Sequence, residues 1–323
     1  MTDIPEIPIK PNIHTIAFYN TENLFHVFDN TIKHDNDFLP KADKRWTAKR
    51  YKNKLRKLGY AITNIGRDNN GKHPAIIGVA EVENAKVIQD LIASKHLAKC
   101  NYNFVHYNSP DERGIDVGFI YDQSIFTVEA SQVFSIELFN NAGKPDYTRD
   151  ILLVTGLLSG CKIHVIVNHW SSRREGQKET EHKRMAASDK VGEIISNLKL
   201  QDSNAKILVM GDFNDDPSSK SIKRLVAGYN LFNPMETLRS YTRGTTKHNR
   251  LWNLFDQIIF TTNFFETSAN SLQFESANIF DPKFLKLSNG KYKGTPFRTY
   301  VGKKYKGGYS DHFPVYITLE VKE

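Results

Sequence analysis

The sequence contains few cysteines and no cysteine cluster. Its 323 residues include only Cys100 and Cys161. One potential pair is not a disulfide framework, and a structural zinc site needs closely spaced Cys and His ligands. Both cysteines are therefore expected to be reduced, structural thiols.

Long apolar segments are also missing. The chain is 39% hydrophobic and 25% charged, a globular composition, and it has no apolar run of the length that a membrane span requires. Met1 to Lys10 has no apolar region of the kind found in a secretory signal. We expect a soluble, cytoplasmic protein, although a leader removed before this sequence begins would leave no trace in it.

Two glycine-rich nucleotide motifs are absent as well. The sequence has no Gly-x-x-x-x-Gly-Lys loop and no Gly-x-Gly-x-x-Gly after a predicted strand. Each motif supplies backbone N–H groups to phosphates at the start of a helix. Coupling to nucleotide hydrolysis and use of a dinucleotide cofactor are therefore both unsupported.

Acidic residues are outnumbered. There are 36 acidic residues against 44 lysines and arginines, which gives a net charge of +8 and a pI near 9.2. The excess is concentrated in two segments, Lys41 to Lys57 and Asp281 to Tyr309, each with one acidic residue. This distribution suits a polyanionic or phosphorylated partner.

Alternating strand and helix patterns predict an α/β fold. Apolar residues recur at helical spacing from Trp46 to Ile65, whereas Ile207 to Met210 is a short apolar run typical of a buried strand. No linker, repeat or low-complexity tract interrupts the alternation, so residues 1–323 are predicted to form a single domain. The segment from Asn278 to Tyr309 lacks regular periodicity, and such long loops are often functional.

Polar side chains follow several predicted strands directly. The clearest case is Gly211-Asp212-Phe213-Asn214, where Gly211 allows a sharp turn and, in extended backbone, Asp212 and Asn214 would point the same way. Five strand borders carry oxygen donors or imidazoles: Asn20; Glu81; Asn168 with His169; Asp212 with Asn214; and Asp311 with His312. Asp116 and Asp256 begin two further strands.

This set has a consistent chemistry, although each member alone is more often structural. Carboxylates and amides without a Cys/His cluster favour a hard cation such as magnesium. Histidines with carboxylates available to orient them suit general acid and base work. Metal-assisted phosphoester hydrolysis is the reaction that these groups fit best.

Seven segments in order resemble one family. They are Ala17-Phe18-Tyr19-Asn20-Thr21-Glu22-Asn23, Gly78-Val79-Ala80-Glu81, Gly114-Ile115-Asp116-Val117, Asn168-His169, Gly211-Asp212-Phe213-Asn214, Asp256-Gln257-Ile258-Ile259 and Ser310-Asp311-His312-Phe313-Pro314-Val315. Together they resemble the endonuclease/exonuclease/phosphatase superfamily, specifically its deoxyribonuclease and exonuclease-III-like branch in a bacterial-type member. The resemblance implies a four-layer α/β sandwich, in which two packed mixed β-sheets are flanked by helices.

The resemblance also implies a metal site and a water-activating pair. Glu81 would be the principal metal carboxylate, with Asn20 and Asp311 as further ligands or water-mediated contacts. The implied cation is magnesium, with manganese and calcium as alternatives. Asp212 and Asn214 would orient and deprotonate the attacking water.

Two imidazole–carboxylate pairs are implied in addition. His312 would be held by Asp256 and His169 by Asp116, and both imidazoles would contact the scissile phosphate. Which histidine is the acid and which is the base stays open. Arg149, placed before a strand as in the deoxyribonuclease branch, would bind phosphate.

Other cations are substrate-binding candidates. Arg173 and Arg174 closely follow the catalytic strand and could bind phosphate. Arg298 lies in Lys291 to Tyr309, where aromatic and basic residues alternate, so the segment is either a platform for a flexible polyanion or a basic loop packed on the core. The related phosphoinositide phosphatases have a Trp-x-Asp-Arg motif at the position of Asp256. This chain has Gln257 in place of the arginine, which weakens the lipid phosphatase interpretation.

The resulting prediction is a monomeric, magnesium-dependent phosphodiesterase that hydrolyses nucleic acid as an endonuclease, with DNA favoured over RNA. The alternative enzyme is a phosphomonoesterase or a phospholipid or inositol phosphate phosphoesterase. A polyanion-binding module without turnover is the alternative from another class, and the complete set of acidic and imidazole residues argues against it.

Overall fold

The computed structural model describes residues 12–27, 36–140, 143–248 and 250–322. The segment Met1 to Lys10 lies outside the described residues. In chain order the strands are β1 Ile13–Leu24, β2 Ile76–Val82, β3 Tyr102–His106, β4 Asp116–Asp122, β5 Phe126–Phe134, β6 Ile151–Leu158, β7 Cys161–His169, β8 Ile207–Asp212, β9 Leu231–Phe232, β10 Thr246–His248, β11 Leu251–Asn253, β12 Asp256–Thr261, β13 Ser271–Ile279, β14 Tyr300–Val301, β15 Lys304–Tyr305 and β16 Val315–Lys322. The α-helices are α1 Ala48–Asn64, α2 Arg67–Asn70, α3 Ala85–Ile92, α4 Glu181–Gln201 and α5 Lys220–Gly228, and short 3-10 helices cover Asn36–Phe38, Pro234–Leu238, Thr262–Phe265 and Lys283–Leu285.

Two mixed six-stranded sheets form the centre of the fold, which confirms the predicted sandwich. The first has the strand order β13-β16-β1-β2-β4-β3 and the second β5-β6-β7-β8-β12-β9. The sheets pack face to face, and Gly78 of β2 lies so close to Met210 of β8 that a Cβ at position 78 would be 2.5 Å from the Met210 sulfur. A Cβ at position 78 would displace the Met210 side chain, so glycine favours the close approach of the two sheets.

Helices cover the outer faces of the sheets. Helix α1 begins at Ala48 because the side chain of Thr47 accepts a hydrogen bond from the Arg50 N–H, so Trp46 lies before the helix rather than in it. Its buried face includes Leu55, Leu58 and Ile62, as the helical spacing predicts. On the second sheet, α4 and α5 contribute apolar side chains to a separate cluster against the sheet.

The sequence pattern missed the long edge strands β5 and β13. Both pair with one neighbour only, and each ladder contains a register shift, between Val128 and Ala130 in β5 and between Phe274 and Ser276 in β13. A shift of this kind breaks the alternation of apolar and polar residues that identifies a strand. Exposed positions in β5 weaken the pattern further.

The topology gathers the motif residues at one edge of the sandwich. The parallel pairs β1–β2 and β7–β8 both end there, and β7 places His169 beside Asp212 of β8. Antiparallel neighbours begin at the same edge, so Asp256 of β12 lies opposite Asp212 and Asp116 of β4 lies opposite Val82. Among the described residues, no helix combines the length and apolarity needed to cross a bilayer.

Candidate active site

The backbone is distorted where the motif side chains leave their strands. The β1–β2 ladder shifts register between Asn20 and Leu24, and Glu81 lies at a second shift, between β2 and β4. Four non-glycine residues at this edge have positive φ: Glu22 at 53°, Asn23 at 54°, Glu81 at 60° and Asn214 at 49°. Such conformations are costly and concentrate at functional sites, where they direct a side chain differently from the strand before it.

Asp212 is the centre of the site. Its Oδ2 atom accepts a hydrogen bond from Asn20 Nδ2 at 3.0 Å and lies 3.8 Å from His169 Nε2 and 3.9 Å from His312 Nε2. Burial, together with the nearby Asp256 carboxylate, raises the pKa of Asp212 to about 6 against the opposing effect of His312. A buried carboxylate between two imidazoles can accept a proton near neutral pH.

The turn after Asp212 differs from the prediction made for it. Gly211 lies within β8, where a Cβ would be 2.4 Å from the Asn168 carbonyl oxygen, so glycine serves close strand approach and not a turn. The turn comes at Asn214, whose backbone N–H donates to Asp212 Oδ1 at 2.9 Å. Its side-chain Nδ2 donates to the Trp170 carbonyl, so the Asn214 amide group is anchored to the protein.

His312 has the carboxylate partner that the resemblance implies. Its Nδ1 lies 2.7 Å from Asp256 Oδ2, and the Asp256 side chain is fully buried. Burial alone would lower the pKa of His312, but the carboxylates of Asp256 and Asp212 raise it well above its usual value. These carboxylates therefore favour the protonated imidazole of His312, whose Nε2 lies 3.9 Å from Asp212 Oδ2.

His169 lacks the implied partner, and the expected pairing with Asp116 is wrong for this structure. The Asp116 carboxylate instead accepts hydrogen bonds from the backbone N–H and hydroxyl of Ser109 and lies 3.5 Å from His106 Nε2. Buried His169 Nδ1 has no hydrogen-bond partner among the described residues. Burial and the positive charges of Arg149 and Arg113 hold the pKa of His169 well below its usual value.

Glu81, like Asp212, lies near the Nε2 atom of His169. Its Oε1 is 4.0 Å from His169 Nε2 and 3.9 Å from Arg113 Nη1. The other oxygen, Oε2, accepts the backbone N–H of Asn23 at 2.9 Å. The carboxylate is thus fixed through one oxygen, and its second oxygen faces the same cleft as the imidazoles.

The donor set fits a hard divalent cation. Glu81 Oε1 accepts no hydrogen bond among the described contacts, and the Asp311 side chain keeps 28% of its surface exposed. Asn20 is less free, because its Oδ1 accepts the Glu22 N–H and its Nδ2 faces Asp212. Carboxylate and amide oxygens without sulfur are the ligands of magnesium, manganese and calcium.

Another group of donors, Asp212, Asp256 and His312, has ligand atoms within 4.8 Å of one another and so could hold a metal. Two of these atoms already bind each other, since His312 Nδ1 hydrogen-bonds to Asp256. Coordination through Nδ1 would break this hydrogen bond, and the neighbouring carboxylates of Asp256 and Asp212 favour the protonated imidazole by raising the pKa of His312. The group is therefore better suited to proton transfer.

The structure changes the roles of two predicted arginines. Arg149 is buried, and its guanidinium donates to Asp111 and to the carbonyls of His169 and Trp170, so it fixes the end of β7 instead of offering itself to a phosphate. Arg173 donates to the Asn214 carbonyl and to Asp215. Both guanidinium groups therefore bind backbone carbonyls next to the site residues.

Arg174 and Arg298 stay accessible to substrate. Arg174 is exposed and near enough to lower the pKa of His169. Arg298 is 45% exposed and forms an ion pair with Asp311 at 2.6 Å. These two arginines remain candidates for substrate binding.

Lys54 and Glu22 form a buried charge pair that the sequence reasoning missed. Lys54 Nζ donates to Thr299 Oγ1 at 2.5 Å and to the Tyr309 carbonyl at 2.6 Å, and it lies 3.8 Å from Glu22. Glu22 in turn accepts the backbone N–H groups of Thr299 and Tyr300. The pair thereby ties α1 and the end of β1 to the loop that leads to Asp311 and His312.

The segment from Lys291 to Tyr309, in which aromatic and basic residues alternate, is mostly packed on the core. Tyr300 is buried beside Trp46, and Tyr305 lies under the Arg50 guanidinium. Tyr309 and Phe297 are both covered by the Lys57 ammonium group. Among the aromatic residues from Lys291 to Tyr309, only Tyr292 has a markedly exposed side chain. Aromatic rings on which a polyanion could stack are therefore largely unavailable in this segment.

Carboxylates, two imidazoles and arginines at one edge of two packed mixed sheets define a phosphoester hydrolase. The chain belongs to the endonuclease/exonuclease/phosphatase family, which matches residues 15–321. Members of this family are phosphoester hydrolases that generally use divalent metals. No curated protein sequence matches the chain.

Several solved structures have the same fold as this chain. A family protein from Bacteroides thetaiotaomicron has 17% identity and a TM-score of 0.58 over 95% of this chain and 97% of its own. Truncated TDP2 from Caenorhabditis elegans has 15% identity and a TM-score of 0.58, covering 96% and 98%. A mannosyl-6-phosphatase from Bacteroides thetaiotaomicron has 16% identity and a TM-score of 0.57, covering 95% and 99%.

Proposed function

We propose that the protein is a magnesium-dependent phosphodiesterase that cleaves nucleic acid internally, with DNA as its preferred substrate. One observation supports this most directly: Asp212 Oδ2 lies 3.8 Å from His169 Nε2 and 3.9 Å from His312 Nε2, and Glu81 Oε1 lies 4.0 Å from the same His169 atom. A phosphate held in that cleft would meet a base, two imidazoles and a metal carboxylate together. The net charge of +8 favours a polyanionic substrate over a neutral one.

Each side chain would have a separate role in the reaction, set by its position. Asp212 Oδ2 would accept a proton from the attacking water, with Asn20 Nδ2 and the Asn214 N–H holding the carboxylate in place. His312, fixed through Nδ1 by Asp256, would present Nε2 to the leaving oxygen. Neutral His169 would donate a hydrogen bond from Nε2 to the phosphate.

Glu81 and Asp311, with Asn20 as a further or water-mediated contact, would hold the cation. When bound, magnesium supplies positive charge that neutralises the phosphate oxygens and polarises the phosphorus. The exposed Arg298 and Arg174 would bind flanking phosphates.

A phosphomonoesterase is the second candidate, because one of the structures with this fold is a mannosyl-6-phosphatase. A phosphoinositide activity is less supported. Gln257, which replaces the arginine of the phosphoinositide phosphatases, is buried and hydrogen-bonds to Asn233 and to the Asp215 carbonyl, so it serves packing.

A substrate and metal screen tests the proposal. Purified protein is incubated with supercoiled plasmid, single-stranded DNA, RNA, sugar phosphates and inositol phosphates in magnesium, manganese, calcium or EDTA. We expect plasmid nicking that needs the metal and is abolished in His312→Ala and Asp212→Ala. Intact DNA alongside rapid hydrolysis of a sugar phosphate would instead establish the phosphomonoesterase.

A further inference from the structure

Arg113 occupies a rigid turn directly before β4. Buried Asp111 organises the turn, because its Oδ2 accepts the backbone N–H groups of Arg113 and Ile115. Its Oδ1 accepts from Arg149, which itself holds the end of β7. Gly114 follows with a φ of 67°, a conformation that suits glycine. The backbone of Arg113 is thus fixed relative to the strand that carries His169.

The Arg113 guanidinium lies in the cleft beside Glu81. Its Nη2 donates to Asn23 Oδ1 at 2.6 Å, and its Nη1 is 3.9 Å from Glu81 Oε1. Asn23 also donates its backbone N–H to Glu81 Oε2, so one residue positions both groups. The Arg113 side chain is 23% exposed, and an arginine has five N–H donors, so donors remain for a ligand.

The Arg113 guanidinium makes one hydrogen bond among the described contacts, fewer than those of Arg149 and Arg173, which direct their guanidinium groups to several protein oxygens. Arg298 is bound to Asp311, and Arg174 is exposed near His169. Arg113 is the arginine that lies beside Glu81.

We propose that Arg113 is a substrate-binding residue that donates to a non-bridging oxygen of the scissile phosphate. This inference rests on the proposed phosphoesterase function and adds a residue to that site. The planar guanidinium fork matches two phosphate oxygens, a geometry that a lysine ammonium cannot reproduce. A role limited to balancing the charge of Glu81 is the competing explanation, and it predicts an effect on metal binding alone.

The experiment compares Arg113→Met and Arg113→Lys with Arg224→Met, a matched control whose guanidinium pairs with exposed Asp189 on α4. Three quantities are measured: kcat and KM on the best phosphoester, the inhibition constant of inorganic phosphate, and the magnesium concentration for half-maximal activity. A hydrogen bond to a charged group contributes about 1.5–3 kcal/mol, which corresponds to roughly 10- to 150-fold. We expect Arg113→Met to weaken phosphate inhibition and lower kcat/KM by about this factor, Arg113→Lys to recover part of it, and Arg224→Met to match the wild type.

Unchanged phosphate inhibition with a shifted magnesium requirement would overturn the proposal and make Arg113 a counter-ion of Glu81. Thermal unfolding of each variant identifies misfolding, and if Arg113→Met does not fold, Arg113→Lys decides the question through its own phosphate inhibition. If the wild type hydrolyses no phosphoester, the proposed function fails. Calorimetric titration of inorganic phosphate into wild type and Arg113→Met with magnesium present then tests Arg113 separately, and equal affinities would reject it.

Discussion

The two histidines of the site are in opposite electrostatic surroundings. His312 is bonded to Asp256 and lies near Asp212, and these carboxylates raise its pKa well above the usual value. His169 Nδ1 has no hydrogen-bond partner within the described part of the chain, and burial with Arg149 and Arg113 nearby lowers the pKa of His169 well below the usual value. The surroundings therefore favour the charged form of His312 and the neutral form of His169.

The difference extends to the whole cleft. Asp311 is a third carboxylate that raises the pKa of His312, whereas the positive charges of Arg149, Arg113 and Arg174 lower that of His169. Carboxylates around His312 suit proton transfer, and arginines around His169 suit phosphate oxygens, with the Glu81 carboxylate also 4.0 Å from His169 Nε2. The surroundings, more than the residue type, assign a different role to each imidazole.

Replacing Asp256 with asparagine should have the largest effect, because it removes the carboxylate that charges and orients His312. We expect kcat to fall roughly 10²- to 10⁴-fold, the range for loss of a positioned acid or its orienting carboxylate. Steady-state kinetics on the best substrate provides the measurement. Asp189→Asn, an exposed change on α4, is the control, and near-wild-type activity of Asp256→Asn would show that the pair is dispensable.

Lys54→Met breaks the charge pair that anchors the His312 loop. The substitution leaves Glu22 buried without its lysine, and removal of one partner from a buried ion pair costs about 3–5 kcal/mol of unfolding free energy. Urea denaturation measures the loss, with Lys49→Met on the exposed face of α1 as the control. The double variant Lys54→Met/Glu22→Gln should regain part of the stability. Equal stability of wild type and Lys54→Met would mean that the pair does not hold the loop.

The contrast in charge can be measured directly in metal-free protein. NMR titration of the imidazole signals after EDTA treatment should show His312 protonated at pH 7 and His169 neutral, since the pKa of the first is raised and that of the second is lowered. In Asp256→Asn the pKa of His312 should fall, while that of His169 should change little. If both histidines titrate together near pH 6.5, the proposed difference between their pKa values is wrong.

The sequence predicted the sheet edge well because its signal is local. Apolar runs that stop abruptly at Asn20, Glu81 and Asp212 mark the ends of buried strands, and the topology then brings them together. Contacts between distant segments left no such signal. Lys54 binds residues of a loop some 250 positions away, which only the folded chain reveals.

Arginine roles were the least predictable part of the site. A position before a strand identified Arg149, but whether a guanidinium faces solvent or backbone carbonyls depends on how the neighbouring turn folds. The residues around Arg113 are typical of a turn, so the sequence did not indicate that its guanidinium lies beside Glu81. The single-domain organisation, the monomeric state and the cytoplasmic location stay predictions.

Asp116→Asn should have the smallest effect on kcat. It tests most sharply whether the two histidines differ in their carboxylate partners. Asp116 is bonded to Ser109 and lies near His106, so the substitution removes no hydrogen bond from His169. We expect kcat to fall less than about tenfold, a change of roughly 1.4 kcal/mol in the barrier, against the far larger loss in Asp256→Asn. The two variants are compared on one substrate at one pH, with thermal unfolding to detect disruption of the Ser109 turn. A loss as large as that of Asp256→Asn, in a folded variant, would mean that Asp116 moves to pair with His169 once substrate is bound, and the asymmetry would then belong to the free enzyme alone.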